Sequence, residues 1–325
     1  MKTSIFAIFV VLAGINGEEV TESAHDGKNR QRRVIAGENA NITSFPFFAS
    51  LESRCGGLLG GGSIISRNFV LTAAHVLYYL MPSNDYILTE SYPNDNSTDL
   101  YPENNSTESD QNNLIDGPIY QIADEPEITN PYKDLLVRVG SHLREEGGSI
   151  HEVDLVIIHP NYVHNDSVGG CINDIALARV VYSFIFDNFR QPIQLFDAGV
   201  SFSDRVGTKV SVVGLGYTEK GMTHHLRNTT IWIANKTKCE NVYRNKKQVP
   251  LPKSAFCAGG GGGTRDTCSG DSGGPLVIEI GNPKVKFQAG ITSFAKATCG
   301  KPNVPALYTE VSLFRSWIES HVTLP

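Results

Sequence analysis

The sequence predicts an all-β fold, a barrel or a sandwich, and three observations carry that expectation. Strand-like stretches rich in β-branched and apolar residues recur: GSIISRNFVLTAA, LLVRVGS, HEVDLVIIH, KVSVVGLG, GGPLVIEI and VKFQAGITSF. Gly, Asn or Pro separates most of them, as in short strands joined by turns. The composition agrees: 31 Gly, 15 Phe and 12 Tyr among 325 residues, with 40% apolar content, suit many short strands around a sizeable core.

Taken from the N-terminus, the chain first presents Lys2, an apolar run from Ile5 to Leu12 and then small residues. This pattern reads as a signal peptide over residues 1–17, with cleavage near Gly17. The run is too short to span a bilayer, and no later stretch is long enough, so no membrane association is expected. Residues 18–33 are polar and end in KNRQRR, after which VIAGENANITSFPFFASL changes abruptly to strand-like sequence. Six cysteines, an even count, fit an oxidising compartment. Sequons at Asn41, Asn96, Asn104, Asn105, Asn165, Asn228 and Asn235 fit the same secreted, extracellular route and predict a glycoprotein. At the other end, SLFRSWIESHV sets Leu313, Trp317, Ile318 and Val322 near helical spacing, which predicts a short C-terminal helix packed on the body.

Residues 76–132 break the strand pattern. They carry eleven acidic residues and no Lys or Arg, lack periodicity and hold clustered sequons, the signature of a solvated or disordered insertion. This block accounts for the net charge of −6, because the rest of the chain is mildly basic. No basic footprint for nucleic acid is present. The block is either a tolerated surface loop or an exosite or gate whose field draws in a basic partner.

GDSGGP, residues 270–275, poses the chemical question. A serine among glycines is usually a turn residue. As a nucleophile it needs a base, and the base needs a group to hold its tautomer. LTAAH supplies His75 and NDIAL supplies Asp174.

Those three segments resemble the signatures of the trypsin/chymotrypsin-type serine peptidases. The resemblance extends from Val34 to Pro325 outside the acidic block and includes FPFFASL, FCAGG, ITSF and YTEVSLFRSWI. It implies a chymotrypsin-like fold of two six-stranded antiparallel β-barrels with a short C-terminal helix. The peptidase domain would span 34–325 and the activation propeptide 18–33. It implies Ser272 as nucleophile, His75 as general base and Asp174 as the group orienting it, with the backbone N–H groups of Gly270 and Ser272 as the oxyanion hole. Asp271 would pair with the ammonium of Val34 after cleavage behind Arg33, so the chain reads as a zymogen. Arg30 to Arg33 match the R-x-R-R pattern of proprotein convertases, and a trypsin-like activator would also accept Arg33.

Specificity, on the same resemblance, comes from Asp266 at the base of the primary pocket, pairing with Arg or Lys of a protein or peptide substrate. Thr267, Ser293 and Tyr308 would line that pocket. Ala295 and Ala306 stand where glycines are usual and Phe294 where Trp is usual, which narrows the slot. The implied disulfides are Cys239–Cys257 and Cys268–Cys299. The bridge beside the catalytic His is missing, with Gly60 and Val76 in its place; Cys55 and Cys171 remain, and either pair with each other, stay free or bind another chain, the first being the expectation. Ser141 and Ser149 replace the carboxylates of the family's calcium loop, so neither metal nor cofactor is expected. A monomer is expected. The reading is thus a serine endopeptidase cutting after Arg or Lys. Its alternatives are a non-catalytic binding protein on the same scaffold and a processing protease of narrow specificity.

Overall fold

The computed structural model describes residues 37–80, 130–164, 171–218, 220–243, 251–259, 266–295 and 299–325. The expected signal peptide, propeptide, Arg33, Val34, most of the acidic block and the sequons at Asn96, Asn104, Asn105 and Asn165 lie outside them. Among the described residues no helix is long and apolar enough to cross a membrane.

Six antiparallel strands close the first barrel. They are β2 (Phe48–Ser53), β3 (Leu58–Ile64), β4 (Phe69–Thr72), β5 (Leu135–Val139), β6 (Ser149–Ile158) and β7 (Ala176–Val180), which follows the short strand β1 (Glu38–Asn39) only in sequence. Their order round the barrel is β2-β3-β4-β7-β6-β5, and β5 returns to pair with β2. LLVRV shows why the sequence signal works: Leu135, Val137 and Val139 are buried while the alternate positions are not, as the two-residue period of a strand requires. Leu51, Ile64, Val153 and Phe184 fill the same interior.

A second sheet follows the short strand β8 (Gln194–Leu195). It contains β9 (Lys209–Gly214), β12 (Arg227–Trp232), β13 (Ala255–Ala258), β14 (Pro275–Ile280), β15 (Val285–Phe294) and β16 (Ala306–Glu310). A small hairpin, β10 (Tyr217–Thr218) and β11 (Gly221–Met222), lies between β9 and β12. The path β12-β9-β14-β15-β16-β13 is closed by an Ile233–Ala258 bridge, with Ala234 N–H to Cys257 O and Gly259 N–H to Trp232 O both at 2.8 Å. Phe196, Phe202, Phe256, Leu276 and Tyr308 pack inside. Leu71 and Ile175 of the first barrel meet Val213, Val277 and Ile291 of the second in a shared cluster, so the barrels pack face to face. The architecture is the expected pair of six-stranded barrels.

The C-terminal segment opens with a 3-10 turn, Val311–Phe314, and continues as the helix Arg315–His321. The tighter first turn changes which face is buried. Phe314 and Ile318 are buried and Val322 beyond them, whereas Leu313, expected in the apolar stripe, is 51% exposed. The two ends of the acidic block belong to the fold: Leu77 and Tyr132 are buried in the first-barrel core.

Cys239 on the helix Lys236–Tyr243 is bonded to Cys257 on β13, and Cys268 to Cys299. The expected Cys55–Cys171 bridge is not formed. Cys55 is exposed on the turn between β2 and β3, where its N–H meets Ser53 Oγ at 3.3 Å. Cys171 Sγ instead lies 3.6 Å from Tyr162 Oη and 3.6 Å from His164 Nδ1. The two cysteines are anchored by different neighbours on different loops.

Candidate active site

His75 and Asp174 are 99 residues apart in sequence but occupy the same end of adjacent strands. Thr72 closes β4 and pairs with Ala176, which opens β7. Fully buried Ala73 and Ala74 turn the chain from β4 into a single helical turn, α1 (Ala74–Leu77), that carries His75. Asn173 precedes Asp174 with φ 50°, a left-handed conformation that Asn tolerates better than most residues, and its side chain is tied to Asn161 O at 2.8 Å.

Asp174 is 1% exposed. Its Oδ1 accepts the His75 backbone N–H at 2.9 Å, and its Oδ2 faces His75 Nδ1 at 2.7 Å. Ser293 Oγ donates to the same Oδ2 at 2.5 Å, and Thr309 Oγ1 donates to the Asp174 carbonyl at 2.8 Å. Burial disfavours the carboxylate charge, but the charge of His75 and the hydrogen bonds from His75 and Ser293 outweigh it and hold the Asp174 carboxyl below its ordinary range. With Nδ1–H given to Asp174, His75 keeps the lone pair of Nε2 for a proton.

Ser272 sits in a turn built by its neighbours. Asp271 N–H reaches Cys268 O and Gly274 N–H reaches Asp271 O, both at 2.9 Å. Gly270 has φ 91° and Gly273 φ 79°, the region glycine adopts without steric cost. A Cβ on Gly273 would lie 2.2 Å from Thr72 Oγ1, so the turn presses on the strand that leads to His75. The Ser272 carbonyl accepts the Gly61 N–H at 2.7 Å, which fastens the turn to β3 of the first barrel. Gly60 stands between the two: a Cβ there would meet Ser272 O at 2.6 Å and Val76 Cγ1 at 3.1 Å. Among the described residues the Ser272 hydroxyl and the His75 ring share no hydrogen bond. Such contacts are often long before substrate binds.

Two buried carboxylates flank this turn. Asp271, 5% exposed, accepts Gly216 N–H on Oδ1 at 2.9 Å and Cys268 N–H on Oδ2 at 2.8 Å. Cβ atoms on Gly214 or Gly216 would collide with its carboxylate, at 2.1 Å and 2.7 Å. Burial raises Asp271 to about 6 against those two hydrogen bonds. Asp266, 3% exposed, is pushed up to about 7, chiefly by burial, while N–H groups of Gly300 and Thr267 favour its charge. Among the described residues neither carboxylate has an ion-pair partner. A narrow cavity joins them, lined also by Val213, Gly214, Asn228 and Thr229. Thr229 Oγ1 and Arg227 Nε, beside it, are buried without a hydrogen-bond partner among the described residues. The chain enters here, since β1 pairs with β12 through Glu38 and Asn228.

Thr267 Oγ1 and Tyr308 Oη lie 3.0 Å apart behind Asp266. Ala306 is fully buried on β16 near Tyr308, Ala295 is half-buried, and the half-buried Phe294 ring lies 6.1 Å from that of Tyr243. Ser293, expected as a pocket residue, directs its hydroxyl at Asp174. Sequence reasoning missed that contact, the Thr309 contact and the Gly214–Gly216 cradle of Asp271. Only the last left a local signal, the paired glycines of GLG.

Comparisons with known proteins agree with this geometry. The family model described as Trypsin matches residues 34–108 and 128–318. The chain is similar to a trypsin of Phaedon cochleariae, 28% identical over 324 residues, covering 98% of this chain and 99% of that one. It is similar to the Spaetzle-processing enzyme of Drosophila melanogaster, 30% identical, covering 88% of this chain and 66% of the relative. Melanization protease 1 of the same organism is 30% identical, with 91% of this chain and 67% of the relative covered. The chain thus spans about two thirds of the length of these two Drosophila relatives.

Proposed function

Since the chain belongs to the trypsin family and is a serine endopeptidase, we propose that it cuts protein substrates after Arg or Lys, is made as a zymogen and is secreted. The observation that carries this reading is the His75–Asp174 pair at 2.7 Å beside a Ser272 turn fastened to the same barrel. Ser272 attacks the scissile carbonyl, and His75 takes its proton and returns it to the leaving amine. Asp174 holds the ring and stabilises the imidazolium that forms. The N–H groups of Gly270 and Ser272 receive the oxyanion. Losing one such donor typically costs about 3–4 kcal/mol of barrier lowering.

Asp266 supports the choice of a cationic side chain. A buried carboxylate without a cation is costly, and an incoming guanidinium or ammonium relieves that cost. Ala306 and Ala295 support a constricted pocket and thus a narrow set of targets. Relatives named Spaetzle-processing enzyme and Phenoloxidase-activating factor 1 favour that second reading, a processing enzyme. The complete set of His75, Asp174 and Ser272 argues against the non-catalytic scaffold.

The zymogen reading rests on Asp271. The cavity beside it, with a Thr229 hydroxyl that has no partner among the described residues, suits the arrival of a chain end carrying an ammonium. Cleavage after Arg33 supplies Val34, three residues before Gly37. A convertase or a trypsin-like activator would make the cut, and the acidic block would act as a gate or bind a basic partner. Labelling with an active-site phosphonate, before and after cutting at Arg33, tests the whole reading. Label should enter only the cut protein and never Ser272→Ala. Equal labelling of uncut and cut protein removes the zymogen claim, and no labelling of either removes the catalytic one.

A further inference from the structure

Beside the His75–Asp174 pair the fold places two donors, Cys171 and His164, that hydrolysis does not use. A ring nitrogen of His75, Cys171 Sγ and a carboxylate oxygen of Asp174 all lie within 4.8 Å of one another. His164 joins them. Val163 and Ile172 form an antiparallel bridge with both hydrogen bonds at 3.0 Å, so His164 and Cys171 are neighbours across it. His164 Nδ1 lies 3.6 Å from Cys171 Sγ. Two ligands of a tetrahedral zinc, one thiolate and one imidazole, are separated by about 3.6 Å given their bond lengths. The His164 ring is held in place by stacking on Tyr78, 5.9 Å between centroids and 8° from parallel. The Tyr162 hydroxyl sits 3.1 Å from His164 Nδ1 and 3.6 Å from Cys171 Sγ, positioned to give way at those atoms to a cation.

We propose that Cys171, His164 and His75 form an inhibitory site for a thiophilic divalent cation such as Zn²⁺. Sulfur and two imidazoles are the ligands that select zinc over calcium or magnesium. Asp174 contributes charge rather than a bond, because both its oxygens already accept from His75 and Ser293. The cation displaces a proton from the thiol and occupies an imidazole lone pair, so His75 can no longer take the proton of Ser272. Water completes the coordination. No metal is expected from the sequence alone, because His75, His164 and Cys171 become a set only through the β4–β7 pairing and the 163–172 bridge.

The inhibitory half of the proposal rests on His75 acting as the base, while the binding half does not, so the experiment reads both. The Ser272→Ala protein, cut after Arg33 and kept reduced with a phosphine, is titrated with Co²⁺. Thiolate-to-cobalt absorption should appear, and should be lost when Cys171→Ser is added. In the active protein, Zn²⁺ should inhibit hydrolysis of a small peptide amide, and a chelator should restore it. Cys171→Ser and His164→Ala should each raise the half-inhibiting zinc concentration about tenfold or more, with metal-free activity kept. A cobalt spectrum without thiolate absorption overturns the proposal, as does equal zinc inhibition of the parent and Cys171→Ser. A protein that shows the thiolate band yet hydrolyses nothing without metal upholds the site and sinks the catalytic reading.

Discussion

Ser293 donates its hydroxyl to Asp174 Oδ2 at 2.5 Å, the same oxygen that holds His75 Nδ1 at 2.7 Å. The carboxylate that orients the base is therefore itself oriented from the second barrel. Ser293→Ala leaves Asp174 buried with one donor fewer, which raises its pKa and loosens the imidazole. A hydrogen bond to a charged group contributes about 1.5–3 kcal/mol, so kcat should fall about tenfold or more. KM should change little, because Ser293 acts through Asp174. Steady-state kinetics on a peptide amide check this, and an unchanged kcat refutes it.

With Asp266 as the proposed partner of a cationic side chain, ligand binding should depend on pH. Unliganded, it titrates near 7 because it is buried. A small amidinium binds the ionised form, so below about 7 each binding event must expel a proton and affinity should fall about tenfold per pH unit. Calorimetric titration between pH 5 and 8 (roughly the range where such a group changes charge) measures this. The Asp266→Ser protein should bind weakly with no such slope. A flat profile in the parent would place the cation elsewhere.

Asp271 gives the cut protein a different stability profile from the uncut one. In the uncut protein its folded pKa of about 6 exceeds the ordinary carboxylate value of 3.8, so the folded state holds the proton more tightly. That contribution destabilises the fold as pH rises from about 4 to about 6. A docked Val34 ammonium reverses the sign wherever Asp271 is ionised and the amine, with a pKa of about 8, is protonated. Cutting after Arg33 should thus raise the melting temperature at pH 7, and the gain should shrink below pH 6. Asp271→Asn should abolish the gain and cost about 100-fold or more in kcat/KM, as expected when a buried ion pair loses one partner. Melting curves of cut and uncut protein decide it; coincident curves at pH 7 argue against docking.

Gly60 is a point of close approach between the two barrels. A Cβ there meets the Ser272 carbonyl at 2.6 Å, and this is backbone that cannot rotate away. Gly60→Ala must displace the Ser272 turn or break the Gly61 N–H bond that fastens it. The expected cost is about 1–3 kcal/mol of stability, with a loss of kcat from misplacement of the nucleophile. Gly56→Ala, where a Cβ meets nothing within 4 Å and the only cost is backbone strain at φ 152°, serves as the control for a glycine replaced without a clash. Equal activity of the two variants would show that the turn adapts.

What the sequence made legible was periodicity and local chemistry. LLVRV and KVSVVG alternate or run apolar because their strands have one or two buried faces, and they became β5 and β9. His75, Asp174 and Ser272 stood in distinctive local contexts, so they could be named before any geometry was known. Illegible were contacts made only when distant strands meet. Nothing near Ser293 announces that its hydroxyl turns to Asp174. Nothing near Cys171 announces His164 across a bridge, and counting cysteines paired it wrongly with Cys55. The burial of Phe314 in place of Leu313 follows from a 3-10 turn, whose three-residue period differs from the helical spacing assumed for that segment.

Both disulfides, Cys239–Cys257 and Cys268–Cys299, belong to the second half of the molecule, while Val76 merely touches Gly60 where a covalent tie would hold the histidine turn. The half that presents His75 is therefore held by its strand pairing and packing, with no covalent cross-link among its described residues. A reductant would strike this protein asymmetrically, slackening the grip on the substrate side chain while the histidine–aspartate couple stays assembled.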